Sequence, residues 1–227
     1  MHEALVSGQI HVAVDLLITT VREGRLGLLL SRRTSAPFSG CWALPGRMVS
    51  LDESAYAAAE GLLAEMLPTE GAYMEQLFTF ADVGRDPRGR VISIAYLVIV
   101  PWQRLENCLA RPEVSLECFF LENGADALMA EPLAFDHAQI IQTGVRRLRG
   151  KIDYSDLGFR FLDSMEAFSL PELQTVFEAV LGQSLDNSNF RRSILSRYEA
   201  AGRIRHTEDI QKRGRGRPAV LYRYFPE

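Results

Sequence analysis

Charge divides this chain, and the division limits it to an acidic body carrying a basic end. Residues 1–150 hold 13 Lys and Arg against 18 Asp and Glu, while residues 187–227 hold 10 basic side chains against 4 acids. A basic end on an acidic body suits a polyanionic partner, and a solvated basic face is the alternative that charge alone leaves open. The 227 residues permit one large domain or two modest ones, and the uneven charge favours two. With 47% apolar and 24% charged residues, a disordered chain, a collagen-like fibre and a coiled coil are excluded. No apolar run reaches the ~18 residues that a membrane span needs. Met1-His2-Glu3-Ala4 offers no basic region ahead of an apolar core, so no secretory signal is expected. Cys41, Cys108 and Cys118 are odd in number and lack CxxC spacing, which reads as reduced core thiols in a cytoplasmic protein.

The order of local signals predicts an α+β chain. Ile10–Ile18 and Leu26–Leu30 read as strands around the turn Arg22-Glu23-Gly24-Arg25, and Trp42–Gly46 ends in a turn signal. Residues 53–67 read as a helix stopped by Pro68. Strands are expected at 76–81, 91–100 and 115–121, with a loop at 84–89, and a helix at 135–149. The polar stretch 150–164 is the expected boundary, giving one domain over 1–150 and a second over 151–227. Ser169-Leu170-Pro171-Glu172 then supplies a capping box with proline in the first turn. Leu173, Val176, Phe177, Val180 and Leu181 follow at helical spacing up to Gly182.

The C-terminal end has the pattern of a DNA reader. A second helix is expected from Asn187 to about Ala201, with Phe190, Ile194 and Tyr198 on one inward stripe. Asn187, Ser188, Asn189, Arg191, Arg192 and Ser196 are left as polar candidates for the duplex. Asn and Arg are the side chains whose paired donors and acceptors fit adenine and guanine edges. A hairpin is expected from 202–206 and 219–225. Its tip carries Lys212, Arg213, Arg215 and Arg217 among glycines, which let backbone approach phosphate or a minor groove. Helix, helix and basic wing together spell a winged helix-turn-helix. His206, in the hairpin, is a candidate phosphate contact.

The segment Cys41 to Pro68 resembles the Nudix family, whose box reads G-x5-E-x7-R-E-apolar-x-E-E-x-G. Anchored on Asp52-Glu53-Ser54, the box glycine falls at Arg47 and the first glutamate at Glu53. The R-E pair falls at Gly61-Leu62, the E-E pair at Glu65-Met66 and the closing glycine at Pro68. The resemblance implies an α/β/α sandwich whose box glutamates gather oxygen ligands for Mg²⁺. Here Leu62 and Met66 replace two of those glutamates and form a greasy face where a metal belongs, and glycine replaces the arginine that orients a partner glutamate. Only Glu53 and Glu65 remain, with Glu60 out of phase, so hydrolysis, a metal site and a cofactor are not expected. A retained pocket would still bind a small-molecule effector. Arg32, Arg33, Arg47, Arg85 and Arg88 are candidates for its phosphates, Phe38, Trp42 and Phe80 for its rings, and Glu65 for its remaining polar groups. Trp42 and Phe80 read equally as core, and Arg85 and Arg88 also read as partners of Asp82 and Asp86 or of a neighbouring subunit. Arg47 either fills the metal position with its own charge or meets a diphosphate. His137 reads as a core or interface residue, with orientation of a neighbour as the alternative.

From end to end the chain resembles the Nudix-related transcriptional regulators of NAD metabolism, the NrtR family. The similarity is carried by Phe38–Gly46, Arg85–Ser93, Phe135–Ile141, Asn189–Arg192 and Gly216–Tyr222. It implies a homodimeric bacterial repressor that binds ADP-ribose or a related nucleotide without hydrolysing it, and a palindromic double-stranded operator. Relatives of the same architecture sense sugars such as arabinose, and an active pyrophosphohydrolase with an accessory domain is a further alternative. Arg47, Gly61, Leu62 and Met66 depart from the residues that members often keep.

Overall fold

The first strand sets the layering. In a computed structural model, which describes residues 8–67, 72–110, 116–121, 132–211 and 219–226, β1 (Ile10–Arg22) is buried on both faces. Val14, Leu16 and Ile18 enter one hydrophobic cluster, while Leu17 and Val21 enter another. Double burial explains why Val12–Val14 and Leu16–Ile18 are apolar at successive positions instead of alternating. It pairs in parallel with β6 (Arg90–Ile99), from Ile10 opposite Arg90 to Thr19 opposite Ile99. On its other side it pairs antiparallel with β2 (Arg25–Arg32). Two short strands that the sequence reading lacked, β3 (Trp42–Ala43) and β4 (Gly46–Met48), add to β2 and β1. The sheet is completed by β5 (Tyr73–Phe80) against β6 and β7 (Leu116–Phe120) against β2.

Helices cover both faces. On one side lie α1 (Ala55–Met66) and α2 (Trp102–Leu109), which contribute Ala58, Ala59, Leu62, Leu63, Leu105 and Cys108 to the core. On the other lies α3 (His137–Ile152), contributing Ile140, Ile141, Val145 and Leu148. This is the α/β/α sandwich expected from the sequence. α1 begins at Ala55, not at 53, because Ser54 is its cap and accepts the Ala57 N–H at 3.1 Å. Gly144 lets α3 press onto the sheet, since a Cβ there would overlap Leu17 Cδ2.

The rest forms a winged helix-turn-helix. It runs through α4 (Leu157–Arg160), β8 (Phe168–Ser169), α5 (Leu170–Leu181) and α6 (Asn187–Ile194). A widened helical turn follows over Leu195–Glu199, then β9 (Ile204–Gln211) and β10 (Ala219–Tyr224). β10 pairs with both β9 and β8, so the wing is a three-stranded sheet, one strand more than the hairpin the sequence indicated. Phe159 of α4 stacks on Tyr224 at 4.2 Å and meets Tyr198 edge-on at 4.9 Å, closing this module's core. The helix that ends the sandwich continues to Ile152, two residues past position 150, and one hydrophobic cluster runs unbroken from Leu17 and Leu28 through α3 to Val176, Phe177 and Val180 of α5.

The capping box at the start of α5 is complete. Ser169 Oγ accepts the Glu172 N–H at 3.3 Å, and Glu172 Oε2 accepts the Ser169 N–H at 2.7 Å. Gly182 closes the helix in the left-handed conformation at φ +71°. Ser169→Ala is expected to cost about 1 kcal/mol of stability, read as an earlier urea midpoint at unchanged m value.

Candidate binding pocket and nucleic-acid interface

A cavity of about 450 Å³ opens between β1, β4, the 84–90 loop and the start of α3. Its floor is a buried polar network. Asp15, 6% exposed within an otherwise apolar strand, accepts a hydrogen bond from Ser93 Oγ on the parallel neighbour β6. Arg85 donates to Asp136 through Nε at 2.8 Å and Nη2 at 2.6 Å, and its Nη2 lies 3.4 Å from Asp15. The His137 Nδ1 accepts the Leu44 N–H at 2.8 Å, so the proton of the neutral ring sits on Nε2, 3.6 Å from Asp15. Burial pushes the His137 pKa down and outweighs the pull of Asp15.

Above this floor stands an aromatic ring between two cations. The Arg33 guanidinium lies 4.8 Å from the Phe135 ring centre and that of Arg88 5.5 Å from it. Phe135 is held at φ +52° and meets Phe38 edge-on at 4.9 Å. Arg88 is paired with Asp86 at 2.7 Å, whereas Arg33 donates to the carbonyls of Pro37 and Ser35. Burial and the charge of Arg88 both push the Arg33 pKa down. An anion bound between them would relieve that repulsion.

Arg47 rises from β4 and grips Glu53 with both Nη atoms, each 2.7 Å from a carboxylate oxygen. Its Nε donates to Ala58 O at 3.3 Å. The Arg47 hydrogen bonds, joined by the Ser50 N–H, hold the Glu53 carboxyl down to about 2. Glu65 is exposed on α1, while Leu62 and Met66 belong to the core beneath that helix and do not line the cavity. The greasy face expected at the metal position is thus turned into the sandwich. Among the described residues no group of three or more His, Cys, Asp or Glu is arranged to hold a metal ion. The divalent ion that the box implies does not fit the side chains present here.

Of the nine residues the sequence offered for an effector, Arg33, Arg47, Arg85 and Arg88 line this cavity. The other five lie elsewhere, each for a packing reason. Trp42 is core, edge-on to Phe119 at 4.8 Å, and Arg32 covers it from 5.6 Å while donating to Gly40 O. Phe80 is 5% exposed in the core. Phe38 backs Phe135, and Glu65 faces outward on α1. Arg88 takes the Asp86 pairing considered from sequence, but Arg85 bypasses Asp82 for Asp136 and Asp15. Asp15, Ser93, Phe135 and Asp136 were missed. A lone carboxylate inside a buried strand was the available signal for Asp15.

The second candidate surface is on α6. Asn187, Ser188, Asn189, Arg191, Arg192 and Ser196 are all exposed, while Phe190, Ile194 and Tyr198 turn inward as the stripe predicted. Phe190 packs edge-on to Phe177 of α5 at 5.1 Å. Asp186 caps the helix, Asn187 accepts from Gln174 at 2.7 Å, and Arg192 donates to Asn189 at 2.7 Å. The α-helical part ends at Ile194, and the widened turn carries the helical run on to Glu199, close to the expected Ala201. His206 lies 3.2 Å from Glu199. Lys212, Arg213, Arg215 and Arg217 lie outside the described residues. No helix among the described residues is long and apolar enough to cross a membrane.

One helix runs from the pocket to the winged-helix module. α3 starts at Asp136 and His137 on the pocket floor, and near its other end Arg149 Nε donates to Val180 O at 3.1 Å, in the last turn of α5.

A box-bearing sandwich with this pocket, joined to helix, helix and wing, defines a Nudix-like ligand-binding domain fused to a winged-helix DNA-binding module. Comparison with known proteins agrees. The family model described as "NrtR DNA-binding winged helix domain" matches residues 158–224. The "ADPR responsive transcriptional repressor NtrR" of Acinetobacter baylyi is 33% identical over 215 residues, covering 94% of this chain and 81% of that protein. The crystal structure of Shewanella oneidensis NrtR complexed with a 27mer DNA superposes with a TM-score of 0.79 at 32% identity, covering 94% of this chain and 93% of the other. The NUDIX domain of the same Shewanella protein, complexed with ADP ribose, matches 63% of this chain and 90% of its own at 30% identity and a TM-score of 0.50. The chain belongs to the NrtR family. An ADP-ribose pyrophosphatase of Methanocaldococcus jannaschii is 33% identical over 139 residues, 61% of this chain and 75% of that enzyme.

Proposed function

We propose that this chain is an ADP-ribose-responsive transcriptional repressor of NAD-metabolism genes. It acts as a homodimer on a palindromic operator, and its Nudix-like domain binds the effector without hydrolysing it. The observation that carries this reading is the cavity with Arg33, Arg47, Arg85 and Arg88 on its walls, joined through α3 to α5 of the DNA-binding module. A diphosphate can share the guanidinium donors of this wall and relieve the repulsion between Arg33 and Arg88, whereas a neutral pentose brings no charge. Kinship with a repressor named for its response to ADPR, and with a NUDIX domain crystallised with ADP ribose, supports the nucleotide over the sugar. Glu53 held by Arg47, with Leu62 and Met66 turned into the core, argues against turnover.

Coupling follows from differential affinity. ADP-ribose that favours one placement of α3 disfavours the dimer spacing at which two α6 helices meet successive half-sites, and DNA is released. A thermal-shift panel tests the effector. ADP-ribose at 100 times its Kd is expected to stabilise the chain by about 2.7 kcal/mol, with arabinose leaving the melting temperature unchanged. The reverse pattern would establish the sugar sensor.

A further inference from the structure

Arg47 and Gly61 are exchanged relative to the box: arginine stands at the glycine position and glycine at the arginine position. They also meet in space, since a Cβ built on Gly61 lies 3.5 Å from Arg47 Nη2. The guanidinium therefore lies in ordinary van der Waals contact with the point where a side chain at 61 would begin. It is locked there by Glu53 on two atoms, by Ala58 O on α1 and by Met48 O at 3.4 Å on its own strand. Glu65 also acts on it electrostatically, so both box carboxylates that survive bear on this one cation.

We propose that Arg47 is a relocated positioning cation. It supplies from β4 the guanidinium missing at Gly61, ties the loop before α1 to the pocket wall, and keeps Glu53 neutralised so that the effector binds without a divalent ion. The proposal rests on the ADP-ribose reading for its ligand, but the exchange itself is independent of any ligand. Removing Arg47 leaves Glu53 unpaired at the pocket edge, where its charge opposes an incoming diphosphate. Restoring a guanidinium from position 61 neutralises Glu53 again. Gly61→Arg alone places a second guanidinium beside the first and repels it.

The test compares the full-length chain with Arg47→Gly, Gly61→Arg and the double variant, by thermal melting without ligand and by calorimetry with ADP-ribose in EDTA and in Mg²⁺. Both single variants are expected to melt lower than the parent, and the double variant to melt above Arg47→Gly, because contacting sites are non-additive. The parent should bind ADP-ribose equally in the two buffers. Arg47→Gly should bind about tenfold more weakly, and the double variant should recover most of that loss. Melting losses that simply add, or binding by the parent only in Mg²⁺, would overturn the proposal. If the exchange is seen in the melts but ADP-ribose does not bind the parent, the relocated cation stands and the effector reading fails.

Discussion

Arg85→Ala is expected to lower the unfolding free energy by about 3–5 kcal/mol, the cost of breaking a buried ion pair from one side. Its side chain is 4% exposed and serves two carboxylates, Asp136 through two hydrogen bonds and Asp15 through one. Alanine leaves both acids inside the fold with their charge uncompensated. Asp15 retains Ser93, but a single hydroxyl does not replace a cation. Asp136 precedes the first turn of α3, so the damage reaches the helix that joins pocket and DNA-binding module. Urea unfolding measures the loss. A companion Arg88→Ala should cost less, because the guanidinium it removes is 31% exposed and Asp86 keeps the backbone N–H of residue 88. Equal losses would show that the buried network is not the fastening described above.

Arg192→Ala is expected to weaken binding to a specific duplex by about 1–3 kcal/mol, roughly 5- to 150-fold, and to relax base preference at one position of each half-site. Arg192 is exposed on α6 and held by Asn189, so its fork is presented with little freedom to lose. Lysine at 192 should not restore the preference, because a point charge cannot make two parallel hydrogen bonds to a guanine edge. Anisotropy titrations on matched and mismatched duplexes read both effects. A uniform loss on all duplexes would instead make Arg192 a phosphate contact.

What the sequence revealed and what it hid follow one physical line. Signals written within a few residues were legible: the apolar run of β1, the capping box Ser169–Glu172, the stripe Phe190, Ile194 and Tyr198, the closing Gly182. Elements of two to four residues, such as β3, β8 and α4, carry too little periodicity to be read. Short α2 was hidden by its proline start and by an amphipathic pattern only eight residues long. The pocket floor was hidden by distance along the chain. Asp15, Arg85 and Asp136 are brought together only because β1 and β6 pair in parallel and α3 packs over them, with 70 residues between the first two and 51 between the last two. Trp42 and Phe80, left open between ligand and core by sequence, illustrate the opposite case. Aromatic type marked them for a ligand, yet apolar area is buried wherever the sheet offers cover, and both went to the core. Gly61 was legible only as a loss until the fold placed Arg47 against it.

On this reading an intact nucleotide in the Nudix-like pocket governs the grip of α6 on DNA. A duplex selected by the full-length chain from a randomised pool, labelled and followed by anisotropy at ~150 mM salt, tests it most directly when ADP-ribose and Mg²⁺ are added and the nucleotide is then recovered by chromatography. Anisotropy should fall and ADP-ribose should be recovered whole. DNA that stays bound while the nucleotide is cleaved would contradict this reading.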